Sequence, residues 1–294
     1  MKKRFSTVFA LVVASLSVVG CGRQSEQISS ESLSVDPGSG DGFEQYKNER
    51  FARALDQIFS RGSDSNTRWS VSVRAYGPRG QKLSLYKQGE TRVVKPASTM
   101  KILTSWTAFQ KFSSASQIGS EKYNYIREMM KYSDNQMADT VLGWCGGVSS
   151  SYAMLSDFGI GKSPMLSIVD GSGLSYDNKL GAQDLVQILT KIRSSDKMKA
   201  FRSLLPVGGV DGTLSSRLGH INGTIAAKTG TLTTDPTAAL AGYGDSRTGW
   251  QIVFAMLGDS VPSVDAGRSA IDSALEEIIT TLNYLPASSE VASN

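Results

Sequence analysis

Pro96-Ala97-Ser98-Thr99-Met100-Lys101-Ile102-Leu103-Thr104 places a serine and a lysine three residues apart at the start of an expected helix. Proline suits the first turn of a helix, where its missing N–H would be unpaired in any case. Residues i and i+3 share one helical face about 5 to 6 Å apart, so the lysine side chain reaches the serine hydroxyl. A neutral lysine amine can take the serine proton, and a helix N-terminus favours the negative charge that develops as the oxygen attacks. The spacing is not unique, because S-x-x-K recurs at Ser84 to Lys87 and at Ser194 to Lys197. The surrounding pattern has to choose among the three.

Just upstream, Trp69 to Tyr76 alternates, Gly77-Pro78-Arg79-Gly80 turns, and Lys82 to Tyr86 alternates again, which predicts a hairpin. Ser84 and Lys87 then point to opposite faces of a strand. Phe43, Tyr46, Phe51, Leu55 and Ile58 stand at helical spacing and predict a first amphipathic helix over 43–59. Further helices are expected over 98–112, 121–132, 136–144, 150–158 and 183–193. Ser194 and Lys197 fall where the last of these runs out into a polar segment, a poor setting for a buried base. Strands return at 224–231, 237–243 and 250–257, and 266–282 reads as a closing helix. This order predicts an α/β protein of the α+β type. Its terminal parts share one antiparallel sheet flanked by helices, with a helical subdomain inserted.

Two short motifs follow Ser98: Ser133-Asp134-Asn135 at an expected helix junction, and Lys228-Thr229-Gly230 within an expected strand. Ser133 offers a hydroxyl that can relay a proton, and Asn135 an amide that can donate to and accept from a peptide-like substrate. Lys228 and Thr229 supply a fixed positive charge and a hydroxyl suited to a carboxylate. Glycine at 230 lets a substrate backbone approach the strand edge. Taken singly, the first motif is an ordinary cap and the second a solvated strand end. Together, in this order and on these elements, they form the S-x-x-K, S-D-N, K-T-G trio of penicillin-binding proteins and class A β-lactamases. Longer matches at Pro96–Lys101, Asp170–Ser175, Leu205–Leu214 and Ala227–Leu232 resemble the S13 peptidases over roughly 43–282. That is the D-alanyl-D-alanine carboxypeptidase/endopeptidase family of low-molecular-mass penicillin-binding proteins.

The resemblance implies a penicillin-binding-protein/β-lactamase-like transpeptidase fold and a serine DD-peptidase that acts on peptidoglycan through an acyl-serine. Ser98 would be the nucleophile, Lys101 the general base, and Ser133 the donor to the leaving amine. Asn135, Lys228, Thr229, Gly230 and Thr231 would bind substrate, and the backbone amides of Ser98 and Thr231 would form the oxyanion hole. A basic role for Lys101 requires a lowered pKa, from burial and from the charge of Lys228. The resemblance also implies covalent inhibition by β-lactams, both carboxypeptidase and endopeptidase action, and no cofactor or metal. Two departures stand out. Val169-Asp170-Gly171-Ser172-Gly173 holds no glutamate of the kind that activates the deacylating water in class A β-lactamases. Ser98 and Ser133 are only 35 residues apart, without the accessory domains that typical S13 members insert there, so an open cleft is expected.

Composition and the N-terminus set the compartment. A chain of 294 residues with 40% hydrophobic and 20% charged residues is ordinary globular composition, unlike a disordered chain or a membrane bundle. Met1-Lys2-Lys3-Arg4 before the apolar run Val8 to Val19 reads as an export signal. Val18-Val19-Gly20-Cys21 resembles the lipobox of bacterial lipoproteins, in which the cysteine is lipidated; an ordinary signal with an incidental cysteine is the alternative. Losing the signal leaves 28 basic against 27 acidic residues and lowers the formal charge from +4 to +1, and no basic stripe suggests nucleic acid. The expected organisation is a signal peptide over 1–20, a flexible tether over 21–42, a single catalytic domain over 43–286 and a disordered tail over 287–294. Within the domain, 43–97 and 223–286 form the α/β part and 98–222 the mainly helical part. The expectation is a monomer in the periplasm, held at the outer membrane by a lipid anchor only, with Gly22 rather than aspartate after Cys21. Cys145 lies in an apolar stretch and reads as a buried free thiol.

Other function classes compete. A Ser-His-Asp hydrolase would need His220, the single histidine, which sits in a turn-like stretch. A metallohydrolase would need a histidine and cysteine cluster that the sequence does not contain. A β-lactamase, or a penicillin-binding sensor or wall-binding lipoprotein that does not turn over, remains an alternative.

Overall fold

Strands β1 (Arg68–Tyr76) and β7 (Gln251–Asp259) come from opposite ends of the chain and pair antiparallel along their whole length, from Arg68 opposite Asp259 to Tyr76 opposite Gln251. They form the middle of a five-stranded antiparallel sheet of order β2-β1-β7-β6-β5, with β2 at Lys82–Gln88, β5 at Ile225–Leu232 and β6 at Thr237–Asp245. This computed structural model describes residues 49–112, 115–221 and 225–284. Residues 1–48, with the expected signal, Cys21, the tether, Phe43 and Tyr46, lie outside the described residues, as does the stretch from 285 onward.

Both faces of the sheet are covered. Eight consecutive residues of β6 and of β7 are buried, so these strands read as continuous apolar runs rather than an alternation. Val253, Ala255 and Leu257 join the core shared with α2 (Met100–Lys111) and α6 (Ala182–Arg193). The opposite face meets α8 (Val264–Tyr284), which also packs on α1 (Glu49–Arg61). Between β2 and β5 runs the helical block: α2, α3 (Ala115–Tyr132), α4 (Asn135–Cys145), α5 (Val148–Asp157), α6 and the short α7 (Met198–Arg202).

The differences from the sequence reading are local. The expected helix over 98–112 starts later: Ser98 sits on a 3-10 turn, Ala97–Thr99, and α2 follows it. Helix α3 begins ahead of its expected start and contains a non-helical break at Gly119. A two-stranded sheet of β3 (Val93–Val94) with β4 (Leu180–Gly181) has strands too short to carry a periodic signal.

A buried ion cluster ties this scaffold to the segment bearing Ser98. Lys95 is 3% exposed. Its Nζ meets Asp235 in the β5–β6 turn and lies 2.5 Å from Oδ1 of Asp259, close in distance though off the hydrogen-bond direction. Asp259 also accepts from Arg68 at 2.7 Å. Burial works against the charged amine, but the two carboxylates outweigh it and hold the Lys95 pKa above its ordinary value. Replacing Lys95 by alanine strands the buried Asp259 carboxylate, so urea unfolding should show a loss of about 3–5 kcal/mol. A loss under about 1 kcal/mol would mean that Arg68 alone neutralises Asp259.

Candidate active site

From Val94 to Phe109 every residue is buried except Ser98. The local backbone explains this. Ala97 takes a left-handed conformation, φ 47°, which costs a non-glycine residue roughly 1–3 kcal/mol and persists only when its surroundings impose it. Thr99 Oγ1 donates to Pro96 O at 2.6 Å and closes the turn. Two glycines leave the room: a Cβ at Gly173 would fall 1.8 Å from Ala97 O, and one at Gly230 would fall 2.9 Å from Pro96 O. The small size of Gly230 therefore serves the protein's own turn.

Lys101, on the first turn of α2, is fully buried. Its Nζ lies 3.0 Å from Ser98 Oγ, 2.8 Å from Asn135 Oδ1 and 2.7 Å from Ser172 O. The two carbonyl oxygens can only accept. In a neutral amine they take its two N–H groups and leave the lone pair facing the Ser98 hydroxyl. Burial lowers the Lys101 pKa to about 8, against the opposing charges of Asp139, Asp170 and Asp134.

Ser133 joins α3 to α4 in a left-handed turn of φ 62°, while Asp134 caps α4 by accepting from Met137 N at 2.7 Å. Ser133 Oγ accepts from Lys228 Nζ at 2.9 Å, and the same amine donates to Thr229 O at 2.8 Å. Lys228 is fully buried, and burial, then the charge of Lys101, push its pKa well below the ordinary lysine value. The sequence reading took Lys228 as a fixed positive charge; in this setting its charge is conditional on a partner. Among the described residues neither amine has an ion pair.

Strand β5 is the sheet edge. Ala227 N donates to Pro206 O and Ile225 O accepts from Gly208 N, both at 2.9 Å, so odd-numbered residues of β5 turn their backbone groups away from β6. By the two-residue period, Thr229 and Thr231 do likewise, beyond the single bridge of Val207 with Ala226. Thr229 Oγ1 pairs with Thr213 Oγ1 at 2.7 Å, and Thr231 Oγ1 accepts from Arg268 at 3.1 Å.

The structure thus gathers the predicted residues into two hydrogen-bonded groups, Ser98 and Asn135 around Lys101 and Ser133 with Lys228, close enough for the charge of Lys101 to act on Lys228. Sequence reasoning missed the Ser172 carbonyl, Thr213 and Arg268. Ser172 and Thr213 lie in stretches that carried the family resemblance, but a backbone carbonyl has no side-chain signature. The other S-x-x-K pairs are elsewhere: Ser84 and Lys87 are both exposed on β2, and Ser194 ends α6 while Lys197 donates to Phe109 O. His220 is 57% exposed and 3.5 Å from Glu276. Cys145 is a buried free thiol whose pKa burial pushes up to about 11.

The fold is that of penicillin-binding proteins and class A β-lactamases. Penicillin-binding protein 4 of Haemophilus influenzae, solved with a β-lactam, superposes with a TM-score of 0.61 over 79% of this chain and 99% of that chain at 14% identity. The TLA-1 extended-spectrum β-lactamase does so with a TM-score of 0.63 over 81% and 99% at 14% identity. Within that fold, the D-Ala-D-Ala carboxypeptidase 3 (S13) family matches residues 123–281, more than half of the chain, and the chain belongs to that family. The matched span holds the second and third motifs and starts after Ser98 and Lys101. Carboxypeptidase DacB of Mycolicibacterium smegmatis is 34% identical over 166 residues, 50% of this chain and 35% of that protein. D-alanyl-D-alanine carboxypeptidase DacB of H. influenzae is 30% identical over 146 residues, 44% and 30% respectively. The chain spans about a third of the length of these curated relatives.

Gly173→Ala tests the fit of the loop against the nucleophile turn. Strain at φ 80° plus overlap with Ala97 O should cost more than about 2 kcal/mol in thermal or denaturant unfolding. Gly80→Ala, at φ 86° with nothing within 4 Å of the added Cβ, should cost only about 1–2 kcal/mol. Equal losses would mean that the contact with Ala97 yields without cost.

Proposed function

We propose that the protein is an exported serine DD-peptidase that cuts D-alanyl bonds in peptidoglycan through an acyl-serine. One observation carries the reading: the single accessible residue of a buried turn, Ser98, is hydrogen-bonded to a buried amine whose two N–H groups have carbonyl acceptors. Ser98 Oγ attacks the carbonyl carbon of the D-alanyl bond, and Lys101 takes its proton. The backbone N–H groups of Ser98 and Thr231 receive the oxyanion. Collapse expels the amine, to which Ser133 relays the proton that Lys101 took. Lys101 is then neutral again, to take a proton from the water of the next step and return it to Ser98. Water then hydrolyses the ester and returns Ser98.

Substrate binding follows from the same atoms. The outward edge of β5 at Thr231, and the N–H of Thr229 whose carbonyl already accepts from Lys228, suit an extended peptide. Asn135 gives Oδ1 to Lys101, so its Nδ2 remains for a substrate carbonyl. Lys228 and Thr229, with Thr213 beside them, suit the terminal carboxylate, and that charge would restore the Lys228 proton. The path from Lys101 to Ser133 is taken up by α2 and α3, which supports an open cleft that admits cross-linked strands as well as free stem peptides. DD-carboxypeptidase and DD-endopeptidase activities and covalent reaction with β-lactams follow from this reading. On the sequence pattern at the N-terminus we propose further that Cys21 is lipidated, with a tether over 21–42 and a catalytic domain over 43–286, acting as a monomer at the outer membrane.

A fluorescent penicillin should label the protein at Ser98, with no label on Ser98→Ala; an unlabelled wild type would sink the acyl-serine reading. Because the base must be neutral, acylation should rise with pH through about 8, with the rate at pH 7 about one tenth of the plateau. A rate flat from pH 6 to 9 would remove Lys101 from the base role. Lys101→Met should slow acylation by about 10²–10⁴-fold. Incubation with cross-linked wall should both trim terminal D-alanine and deplete dimers, and persistence of dimers would refute the endopeptidase half. The mass of the mature N-terminus reads out lipidation of Cys21.

A further inference from the structure

We propose that Asp170 is a positioning residue for the general base: its carboxylate folds Asp170–Ser175 into the shape that hands the Ser172 carbonyl to Lys101. This rests on the reading of Lys101 as the base of Ser98.

A lysine amine on a four-carbon stem turns freely. One acceptor, Asn135 Oδ1, leaves its lone pair free to swing about that bond, and a second acceptor is needed to aim it. Ser172 O is that second acceptor, at 2.7 Å. The carbonyl is held by a loop wrapped around one carboxylate. Oδ1 of Asp170 accepts from Ser172 Oγ at 3.1 Å, Gly173 N at 2.6 Å and Asn178 Nδ2 at 3.1 Å, and Oδ2 accepts from Ser175 N at 2.8 Å. Outside contacts fix the wrapped loop to the helices that carry the site. Gly171 N donates to Asp139 on α4 at 2.9 Å, and Gly171 O accepts from Thr104 on α2 at 2.7 Å. Gly173 then presses on the turn of Ser98.

The carboxylate also contributes charge. Burial opposes its ionisation, but the hydrogen bonds outweigh burial and hold its pKa below the ordinary value, so it stays negative. The charges that raise the Lys101 pKa against burial are Asp139 on α4, Asp170 on the loop and Asp134 at the N-cap of α4, while Lys228 on β5 is itself lowered by the charge of Lys101. Removing one negative charge lowers the pH at which Lys101 becomes a base. A residue that only props up the loop would not do this.

The test is the pH profile of β-lactam acylation on the full chain. Asp170→Asn keeps the size but puts an amide donor against backbone donors. It should lower the plateau by about 10–100-fold, the scale of a small misplacement at a reacting group, and move the midpoint below that of wild type. Asp139→Asn, which keeps an acceptor for Gly171 N, should move the midpoint the same way with a plateau within about threefold. Ser172→Ala removes two bonds of the wrapped loop, the one to Asp170 and the one from Leu174 N, and no charge. It should lower the plateau by at least about 2–12-fold, the scale of one such bond, at an unchanged midpoint, which keeps the test alive if Asp170→Asn does not fold. A wild-type plateau in both Asp170→Asn and Ser172→Ala overturns the proposal, as does a midpoint at or above wild type in Asp170→Asn. Failure of the parent reading looks different, because wild type itself would then show no label on Ser98 or a flat profile.

Discussion

Two buried lysine amines, each in its own set of hydrogen bonds and neither in contact with a carboxylate among the described residues, set the terms for the rest of the structure. Holding Lys101 near 8 rather than 10.5 makes its charged form about 3 kcal/mol less favourable than in water. The groups around the amines are those that tolerate a neutral amine: an asparagine amide, two backbone carbonyls and two hydroxyls. A carboxylate at contact distance would keep Lys101 protonated and useless as a base. The nearest negative charges stand one layer back, where they moderate the shift without abolishing it.

Such an arrangement needs a rigid support, and two of the four non-glycine residues with left-handed backbone among the described residues stand there. Ala97 and Ser133 hold left-handed backbone angles, and each aims a hydroxyl or its neighbour at an amine. At Ala97 the strain is imposed from outside by close contacts at Gly173 and Gly230. The Lys95 cluster shows the contrasting use of a buried lysine. There, carboxylates do touch the amine, its pKa rises, and it serves as a tie rather than a base. Contact or separation of a carboxylate decides which lysine is structural and which is chemical.

Much of the fold was legible from period and turn chemistry. The hairpin at 68–88, the three late strands and most helices fall within a few residues of where alternation or helical spacing put them. What escaped had no local signal: the two-residue strands β3 and β4, the short α7 and the left-handed turn under Ser98, which tertiary contacts impose against the preference of alanine. In the site, the side chains of the three motifs could be named in advance. The Ser172 carbonyl could not, nor could the packing of Gly230 on the turn of Ser98 or the burial that lowers the Lys228 pKa.

By itself the sequence determined the residue types of the chemistry, their order along the chain, the family they resemble and the elements that carry them, because each depends on local pattern. Only the tertiary structure decided which of three serine-lysine pairs is buried in a network, where each amine finds its acceptors, and how far burial lowers a lysine pKa. Those depend on residues 34 to 95 positions apart in the chain, as in the bonds from Lys101 to Asn135 and from Lys228 to Ser133. Desolvation and hydrogen-bond direction are properties of the packed neighbourhood, which no stretch of sequence contains.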